Sequence, residues 1–366
     1  MKLKCITNKI NIAISKAEKI TGKNLNLPIL SCVLLEAQAD NLIIKTTNLD
    51  LGIEISIPAE IEEEGIVAVN GTVIKNLLSN ISNKDNLLLE TKNNNLTVSS
   101  KNNTAIIKSH PNDDFPSIPK IKGNKIFTID AKKIIKGLKS VWYSASVSSI
   151  KPELSSVLIN IDENFLYFAA TDSFRLAELK IPIKSKEKVE NILIPFKNIP
   201  EIIRTFEDIE GDLKIECAQN QISFKYNNIY LTSRIVDGVF PDYKQLIPKE
   251  RTTEAVVLLD DLANVFKIIN IFSDKFNQIN FKISPKNKKF EIKSKNNEVG
   301  ETVNLVPASL SGADLEINFN YKYIADCFQS ITTDSLVLQF NGLNKPLIIR
   351  GVSDNQFLYL VMPMNK

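Results

Sequence analysis

Two runs of carboxylates are the first residues through which this chain could do chemistry. Glu62–Glu64 and Asp113–Asp114 place acidic side chains next to one another, and paired carboxylates can serve as general acid and general base. Both runs lie in turn-like sequence, which is typical of solvated loops. An enzyme therefore stays open only as an alternative, and we predict no catalytic residue.

Sulfur and imidazole side chains could hold a metal ion, but their spacing does not suit one. The four cysteines are scattered without a Cys-x-x-Cys pair, and the one histidine, His110, is far from all of them. The phosphate-loop, G-x-S-x-G and H-E-x-x-H motifs are absent from the sequence. We therefore expect neither a metal nor a cofactor.

The sequence also predicts where the protein works. Unpaired cysteines suit a reducing cytosol, and here they are Cys5, Cys32, Cys217 and Cys327. No stretch approaches the ~20 apolar residues that a membrane helix needs. No apolar signal region follows the first four residues, Met-Lys-Leu-Lys. We predict a cytoplasmic protein without a membrane partner.

Basic side chains on predicted helices could contact nucleic-acid phosphates. The net charge is only +3, from 45 basic and 42 acidic residues, so any such binding depends on where the cations lie. The candidates for a DNA-facing surface are Lys9, Lys16, Lys23, Lys75, Lys132, Lys136, Lys139, Lys197, Arg204, Lys267 and Lys322. Several basic helices together would suit a channel lined for phosphates. For any single helix, a lysine-rich solvated surface is the simpler interpretation.

The helices that would position these cations recur at a fixed interval. In residues 69–81 the apolar positions 74, 77, 78 and 81 share one helical face. Adding 125 once and then twice to each number again gives only apolar residues. The three sets are Ile74, Leu77, Leu78 and Ile81; Ile199, Ile202, Ile203 and Phe206; and Ile324, Cys327, Phe328 and Ile331.

Other anchors keep nearly the same interval, which predicts three tandem domains. Phe115-Pro116 recurs as Phe240-Pro241, and each unit opens with a short strand and an amphipathic helix. Polar linkers fall near 120–125 and 249–254. We predict three α+β domains, at residues 1–122, 123–251 and 252–366, each with two helices and several strands.

Repeats of domain size more often surround an axis than stack in a line. Two three-domain crescents that meet head to tail would close a ring and remove exposed sheet edges. The helices would then line the inside, and antiparallel sheets would form the outside. A repeat-built scaffold that binds only proteins and does not encircle DNA is the alternative.

Several segments distributed over all three domains resemble the bacterial DNA polymerase III β subunit, the β sliding clamp family. They are Leu27–Leu30, Thr47–Asp50, Thr171–Ala177, Phe240–Tyr243 with Leu246–Pro248, and Tyr359–Met364. The resemblance implies a head-to-tail homodimeric ring around double-stranded DNA, bound without regard to base sequence. It implies a processivity factor for DNA replication, opened by clamp-loader subunits and bound by the replicative polymerase through short peptide motifs. It implies no active site, cofactor or metal.

The resemblance also assigns a partner-peptide pocket. Its residues here would be Leu154, Thr171, Ser173, Phe174, Arg175, Leu176, Pro241, Gln245, Leu246, Phe276, Asn320, Tyr323, Pro346, Leu360, Val361, Met362, Pro363 and Met364. Apolar side chains from separate segments would form a groove for Leu or Phe anchors, with Arg175 among the polar contacts. Phe174 stands where the family commonly has histidine, and Gln245 where it has arginine. The ending Asn365-Lys366 and the positive net charge also depart from the family pattern.

For the subunit interface, the resemblance points to domain one of one copy meeting domain three of the other. Ile271 and Phe272 match the family's apolar contact in domain three, and Ile107 is the expected partner in domain one. All three could instead be ordinary core residues.

Overall fold

The computed structural model describes residues 1–22, 27–82, 86–123, 125–162, 164–184, 188–248 and 250–364. Six α-helices and 27 strands are assigned in these residues. The helices are α1 (Thr7–Glu18), α2 (Gly71–Ser79), α3 (Ala131–Val141), α4 (Ile199–Phe206), α5 (Leu259–Ile271) and α6 (Tyr321–Asp326).

The strands are short and antiparallel to their neighbours. The first ten are β1 (Lys2–Ile6), β2 (Cys32–Gln38), β3 (Asn41–Thr47), β4 (Leu51–Pro58), β5 (Glu60–Glu63), β6 (Gly65–Asn70), β7 (Asn86–Lys92), β8 (Asn95–Ser99), β9 (Thr104–Ile107) and β10 (Ser109–His110). The next eight are β11 (Lys125–Asp130), β12 (Ser156–Ile161), β13 (Phe165–Thr171), β14 (Arg175–Pro182), β15 (Val189–Pro195), β16 (Asp212–Cys217), β17 (Gln221–Tyr226) and β18 (Ile229–Arg234). The last nine are β19 (Thr253–Leu258), β20 (Gln278–Ser284), β21 (Lys289–Asn296), β22 (Gly300–Leu305), β23 (Ala308–Gly312), β24 (Leu315–Asn320), β25 (Ser335–Phe340), β26 (Leu347–Gly351) and β27 (Phe357–Val361).

The chain divides into two compact units, residues 1–134 with 197–235 and residues 135–196 with 236–366. The first unit holds a five-stranded sheet, β5-β1-β7-β8-β9, and a nine-stranded sheet, β10-β6-β2-β3-β4-β18-β17-β16-β11. The second unit holds a nine-stranded sheet, β15-β12-β13-β14-β27-β26-β25-β19-β23, and a four-stranded sheet, β22-β21-β20-β24. Both nine-stranded sheets therefore combine strands from two successive repeats, through β4–β18 and β14–β27.

In the first unit, amphipathic helices cover the sheets. Helix α1 buries Ile10, Ala13, Ile14 and Ala17, which the helical period places on one face. Asn70 is the N-cap of helix α2, and its side-chain oxygen accepts a hydrogen bond from the Val73 N–H at 3.1 Å. This cap satisfies one of the unpaired amides of the first turn.

In the second unit, aromatic side chains fill much of the core. Helix α5 buries Phe266, whose ring meets Tyr321 of α6 edge-on at 6.3 Å between centroids. The rings of Phe281, Phe290 and Phe340 are also fully buried and pack on one another. Edge-to-face packing of this kind adds to the stabilisation from buried area.

The repeat predicted from the 125-residue interval is confirmed by the helices α2, α4 and α6. Ile74, Ile199 and Ile324 hold equivalent positions in them, and all are 0% exposed. Each repeat contributes two helices, so the predicted α+β class with antiparallel sheets and two helices per repeat is also confirmed.

A tight turn is repeated with the same hydrogen bonds. The hydroxyl of Thr47 donates to the Leu51 carbonyl at 2.7 Å, and the hydroxyl of Thr171 donates to the Arg175 carbonyl at the same distance. Leu49 and Ser173 both adopt left-handed backbone, with φ of 77° and 78°. The match shows that the Thr47-Asn48 and Thr171-Asp172 pairs mark equivalent turns.

Candidate functional site

The turn between β13 and β14 presents an exposed aromatic ring. One carboxylate oxygen of Asp172 accepts hydrogen bonds from the N–H groups of Phe174 and Arg175, at 2.9 and 3.0 Å. Because Ser173 takes a left-handed conformation, the chain reverses tightly there. Phe174 is left 60% exposed at the tip of the turn.

Arg175 ties this turn to α6. Its Nε donates to Asp172 at 2.9 Å, one terminal nitrogen donates to Asp326, and the other donates to the Tyr143 carbonyl at 2.7 Å. The guanidinium also lies 4.7 Å from the centre of the Tyr323 ring. Its side chain is only 11% exposed. These contacts hold the turn against α6, and the polar contact of Arg175 with a peptide stays a prediction.

Two aromatic rings lie beside Arg175 and stack on each other. The rings of Phe174 and Tyr323 stack with centroids 6.5 Å apart and planes 22° apart. The Tyr323 carbonyl accepts a hydrogen bond from the buried Tyr359 hydroxyl at 2.8 Å. Phe276 is 57% exposed, and the Asn320 amide donates to its carbonyl at 3.4 Å. The Asn320 oxygen caps α6, so its role is also to hold the backbone.

The last strand runs beside this turn. Strand β27 pairs with β14 in antiparallel register, with Leu176 opposite Leu360 and Arg175 opposite Val361. The Met362 N–H then donates to the Phe174 carbonyl at 2.8 Å, and Met362 is 38% exposed. Leu360 and Val361 are buried in the sheet, so they pack beneath the exposed residues of the site and are not part of its surface.

A cleft of about 510 Å³ opens next to the C-terminal strand. Its lining is Gln245, Leu246, Pro248, Glu250, Thr252, Asn341, Asn344, Lys345, Pro346 and Met362. Leu246 is 62% exposed, although it is a large apolar residue. We call this cleft the groove. An exposed leucine and methionine in a concave site are suited to bind apolar side chains.

The predicted pocket residues fall into four groups. Those that line the groove are Gln245, Leu246, Pro346 and Met362. Those exposed outside its lining are Ser173, Phe174, Pro241 and Phe276. Those buried below the surface are Leu154, Thr171, Leu176, Leu360 and Val361. Those half-buried are Arg175, Asn320, Tyr323, Pro363 and Met364, and the Met364 N–H donates to the Asn318 carbonyl. Asn365 and Lys366 lie outside the described residues.

Sequence reasoning missed the groove residues between β25 and β26. Asn341, Asn344 and Lys345 lie in that turn, and Pro248 and Thr252 precede β19. None of them belongs to a periodic apolar pattern. The available signals were their neighbour Pro346, which was assigned, and the resemblance segment Leu246–Pro248, which contains Pro248.

Several of the predicted DNA-facing cations already have partners within the first unit. Lys132 pairs with Glu210 at 2.9 Å, and Lys197 pairs with Asp50 at 2.5 Å. Arg204 pairs with Glu201 on its own helix at 2.5 Å. Their charges are partly neutralised at exposed sites.

The remaining predicted cations differ in exposure. Lys16 is half-buried and donates to the Thr205 carbonyl at 2.5 Å, and burial lowers the pKa of its amine. In the second unit, Lys136 donates to Gln356 at 3.3 Å and Lys267 donates to Asn264 at 3.0 Å. Lys9, Lys139 and Lys322 are exposed, and Lys75 is half-buried. Lys23 lies outside the described residues.

Both predicted interface regions have exposed apolar side chains. In domain one, however, the exposed residue is Ile106 and not the predicted Ile107. Ile271 is 63% exposed at the end of α5, and Phe272 beside it is half-buried. Ile107 is only 6% exposed, so it belongs to the core of its own sheet. Its neighbour Ile106, 70% exposed, is the apolar residue that β9 presents outward.

Metal binding is not supported by any clustering of ligands. No group of three or more histidine, cysteine, aspartate or glutamate side chains in the described part of the chain could hold an ion. None of the helices described is long and apolar enough to cross a membrane.

Three successive α+β repeats, with sheets shared between neighbours, define the class of DNA clamps. The family models for the DNA polymerase III beta subunit match in order: the N-terminal domain at 1–119, the central domain at 128–242 and the C-terminal domain at 244–365. The chain belongs to the DNA polymerase III beta subunit family. The exact domain limits at 122 and 251 stay a prediction.

Individual relatives are similar to the chain over all or nearly all of its length. The chain is 28% identical to the beta sliding clamp of Synechococcus elongatus over 371 residues, covering 100% of this chain and 99% of that protein. It is 25% identical to that of Staphylococcus epidermidis, over 94% of each. The beta subunit structure from Thermotoga maritima matches with a TM-score of 0.94 at 27% identity, covering 100% of this chain and 99% of that one. The clamp structure from Bacillus subtilis shares the fold, with a TM-score of 0.93 at 23% identity over 100% and 99% of the two chains.

The family gives the chain its role. It is a sliding clamp, the processivity factor of DNA polymerase III, and not an enzyme.

Proposed function

We propose that two copies of this chain close head to tail into a ring that encircles double-stranded DNA. The observation that carries the proposal is the strand count of the sheets. Each nine-stranded sheet joins a block of five strands to a block of four, at β4–β18 and at β14–β27. The remaining sheets have five and four strands, ending at β9 and β22. Joining β9 of one copy to β22 of the other would make a further nine-stranded sheet at each of two junctions.

The chemistry of these two edges supports their pairing. Ile106 on β9 is exposed, and Val303 and Leu305 on β22 are 55% and 61% exposed. Apolar side chains on a free sheet edge favour pairing with another edge. Burial of these side chains together with Ile271 would stabilise the junction.

Charged side chains at the two edges are also complementary. Lys101 and Lys108 flank β9, whereas Glu298 and Glu301 lie at the start of β22, and all four are exposed. Opposite charges steer the two edges together and disfavour pairing of like edges. The interface would therefore join domain one to domain three rather than either domain to itself.

Sequence-independent sliding follows from a ring held by topology. Phosphate contacts carry no sequence information, and a closed ring does not need strong ones to stay on DNA. The intrachain ion pairs of Lys132, Lys197 and Arg204 agree with weak phosphate contacts. Because the ring acts on the chromosome, we infer that it works in the cytoplasm.

The groove would dock the replicative polymerase and the clamp-loader subunits. Leu246 and Met362 offer apolar contacts, and methionine can adapt to several partners that share one site. An extended peptide with Leu or Phe anchors would fit the groove. Affinity near micromolar, about −8 kcal/mol, is expected for a short peptide.

Binding of a fluorescent peptide with a Leu-Phe core tests the groove. Leu246→Ala and Met362→Ala should each weaken binding about ten-fold, because each removes apolar surface from the contact. Val352→Ala, also an exposed apolar truncation in the second unit, should leave the affinity unchanged. Equal affinities for all four proteins, measured by anisotropy, would show that the groove is not the docking site.

A further inference from the structure

The described lining of the groove contains one polar side chain whose hydrogen-bonding atoms are shielded from solvent. Asn341 lies directly after β25 and is half-buried, and neither the nitrogen nor the oxygen of its amide has a hydrogen-bond partner among the residues that the structure describes. The other polar residues of this lining are all exposed, namely Gln245, Glu250, Thr252, Asn344 and Lys345. Asn341 differs from them because bulk water does not reach its amide.

The main chain beside Asn341 is held without any help from this amide. The Phe340 carbonyl accepts hydrogen bonds from the Thr252 N–H at 2.9 Å and from the Thr252 hydroxyl at 3.1 Å. On the far side of the turn, β26 pairs with β25, with Ile348 opposite Gln339. These bonds fix the backbone and leave the side chain unused, so the amide contributes no hydrogen bond to the fold.

An unpaired amide in a shielded position is unfavourable for the free chain. Most shielded donors and acceptors in proteins are paired, because removing them from water without a partner destabilises the folded state. The primary amide of asparagine can donate and accept at the same time. A ligand that supplies both an acceptor and a donor would remove the penalty when it binds.

An extended peptide supplies this pair of groups. In a β-strand the N–H and the C=O of one residue point to the same side, which is how antiparallel strands exchange two hydrogen bonds. The Asn341 amide offers one donor and one acceptor, so it can take the place of a residue in a neighbouring strand. A metal cation would engage only the amide oxygen, and a phosphate only the amide nitrogen.

The rest of the groove leaves this contact to Asn341. Leu246 and Met362 are 62% and 38% exposed, so they are available to the apolar anchors of a peptide. The Gln245 amide already donates to Asp242 at 2.6 Å. The Thr252 hydroxyl donates to the Phe340 carbonyl, as described above.

We propose that the Asn341 amide hydrogen-bonds the main chain of a bound partner peptide, at one residue next to its apolar anchors. The inference rests on the proposed docking function and deepens it, because the contact does not depend on the identity of the peptide's side chains. Asn341 is then a residue that determines specificity for conformation. An extended segment offers free main-chain groups, whereas a helical segment has already paired them.

The turn between β25 and β26 can move to expose the amide. Gly342 has φ of 101°, and apart from its chain neighbours no atom lies within 4 Å of the place that a Cβ would take there. Leu343 is 60% exposed, and Asn344 and Lys345 are exposed as well. Because few contacts hold these residues, the turn opens at little cost and the Asn341 side chain can change rotamer.

Amide-to-ester replacement in a fluorescent peptide with a Leu-Phe core tests the contact. Each peptide of a series has one backbone N–H replaced by an ester oxygen, and binding to the unaltered protein is measured by anisotropy. One ester peptide should bind about five- to ten-fold more weakly than the all-amide peptide, because it cannot donate to the Asn341 oxygen.

Substitutions at Asn341 identify the acceptor. Asn341→Ala should weaken the all-amide peptide about five- to ten-fold and should bind that ester peptide equally well, because the lost bond is the same one. Asn344→Ala removes the same side chain from an exposed position of the lining and should preserve both affinities. Asn341→Leu, of similar size, should also weaken the peptide, while its thermal midpoint stays equal to that of the unaltered protein or rises.

Three outcomes would overturn the inference. The first is a peptide affinity that neither Asn341→Ala nor Asn341→Leu changes, as expected if ordered water pairs with the amide. The second is an ester effect that stays as large in Asn341→Ala, which would place the N–H on another acceptor. The third is a markedly lower thermal midpoint for Asn341→Leu, which would give the amide a role in the fold. An all-amide peptide that fails to bind the unaltered protein would instead refute the docking function, and the inference falls with it.

Discussion

At the scale of single residues, Arg175 shows how a motif residue can fix its own turn against a neighbouring helix. Its guanidinium donates hydrogen bonds to Asp172, Asp326 and the Tyr143 carbonyl, and it lies against the face of the Tyr323 ring. In the Thr-Asp-x-x-Arg-Leu motif, the turn and this network use the side chains of Thr171, Asp172 and Arg175, and Leu176 packs in the core. Sequence alone could locate the motif, but it could not reveal that the arginine faces inward.

Substitution of Gly137 in α3 by alanine tests how closely this helix packs against Phe168. A Cβ at this position would lie 2.1 Å from the Phe168 ring, so the helix approaches the sheet too closely for any side chain. In an exposed helix, Gly→Ala usually stabilises by up to ~1 kcal/mol. Here the clash should reverse the sign, and Gly137→Ala should lower the free energy of unfolding by about 1–3 kcal/mol.

Urea denaturation measures this, with Gly238→Ala as the matched control. A Cβ at Gly238 would meet its nearest neighbour, Leu193, at 3.7 Å, an ordinary contact. Its unfolding free energy should change by less than about 0.5 kcal/mol. A Gly137→Ala protein as stable as the parent would show that the helix stands farther from Phe168.

The four cysteines should be unreactive in the folded protein. Burial raises the pKa of the Cys5 and Cys217 thiols to about 12, and it also raises the pKa of Cys32 and Cys327. At pH 8 the thiolate fraction of a group with a pKa near 12 is about one in 10,000. Because the folded pKa exceeds the unfolded one, the thiols' contribution to stability declines as pH rises above about 8.5.

Alkylation with iodoacetamide at pH 8, followed by mass measurement, tests this burial. The native protein should take up no label in the time that labels all four thiols in guanidinium. Rapid labelling of one cysteine without denaturant would place that side chain at the surface instead.

At the scale of elements, β9 shows why the sequence alone could not decide which of Ile106 and Ile107 faces outward. Its sequence is Thr-Ala-Ile-Ile, so two adjacent residues are apolar and alternation cannot tell which face each one takes. The resemblance favoured Ile107, but the strand turns that residue inward and Ile106 outward. Helix α4 had no such ambiguity, because four apolar residues at helical spacing, Ile199, Ile202, Ile203 and Phe206, are all buried.

The neighbouring isoleucines of β9 should therefore respond differently to truncation. Ile106→Ala should weaken the dimer and leave the thermal midpoint of the isolated subunit nearly unchanged. Ile107→Ala should lower that midpoint, because buried isoleucine truncations cost about 2–5 kcal/mol. Ile271→Ala, at the end of α5 in the third domain, should behave like Ile106→Ala.

Sedimentation at a series of concentrations, with thermal unfolding beside it, separates these effects. A dimer that dissociates on Ile107→Ala while tolerating Ile106→Ala would restore the original sequence-based assignment. A subunit that stays monomeric without any substitution would instead support a scaffold that does not encircle DNA.

At the scale of the whole molecule, the repeat was predictable and the sharing of sheets was not. The 125-residue interval appears directly in the sequence, because the same core positions recur in α2, α4 and α6. The pairing of β4 with β18 joins residues about 180 positions apart, such as Ile53 and Leu231. No local pattern encodes such a contact, since strands of similar composition could pair in several ways.

The residues that line the groove were predictable only in part. Its apolar residues fall in motif segments, so the resemblance found Leu246 and Met362. Its polar residues come from turns, where side-chain type is weakly constrained, and Asn341 and Lys345 were missed.

The most direct test of encirclement compares circular and linear DNA. The clamp would be loaded onto a nicked plasmid by its loader and ATP, freed of unbound protein, and divided before one half is cut by a restriction enzyme. A ring held by topology should remain on the circles and leave the cut molecules within minutes, and bulky proteins bound at both ends should prevent that loss. Equal retention on circular and open-ended linear DNA would contradict the ring.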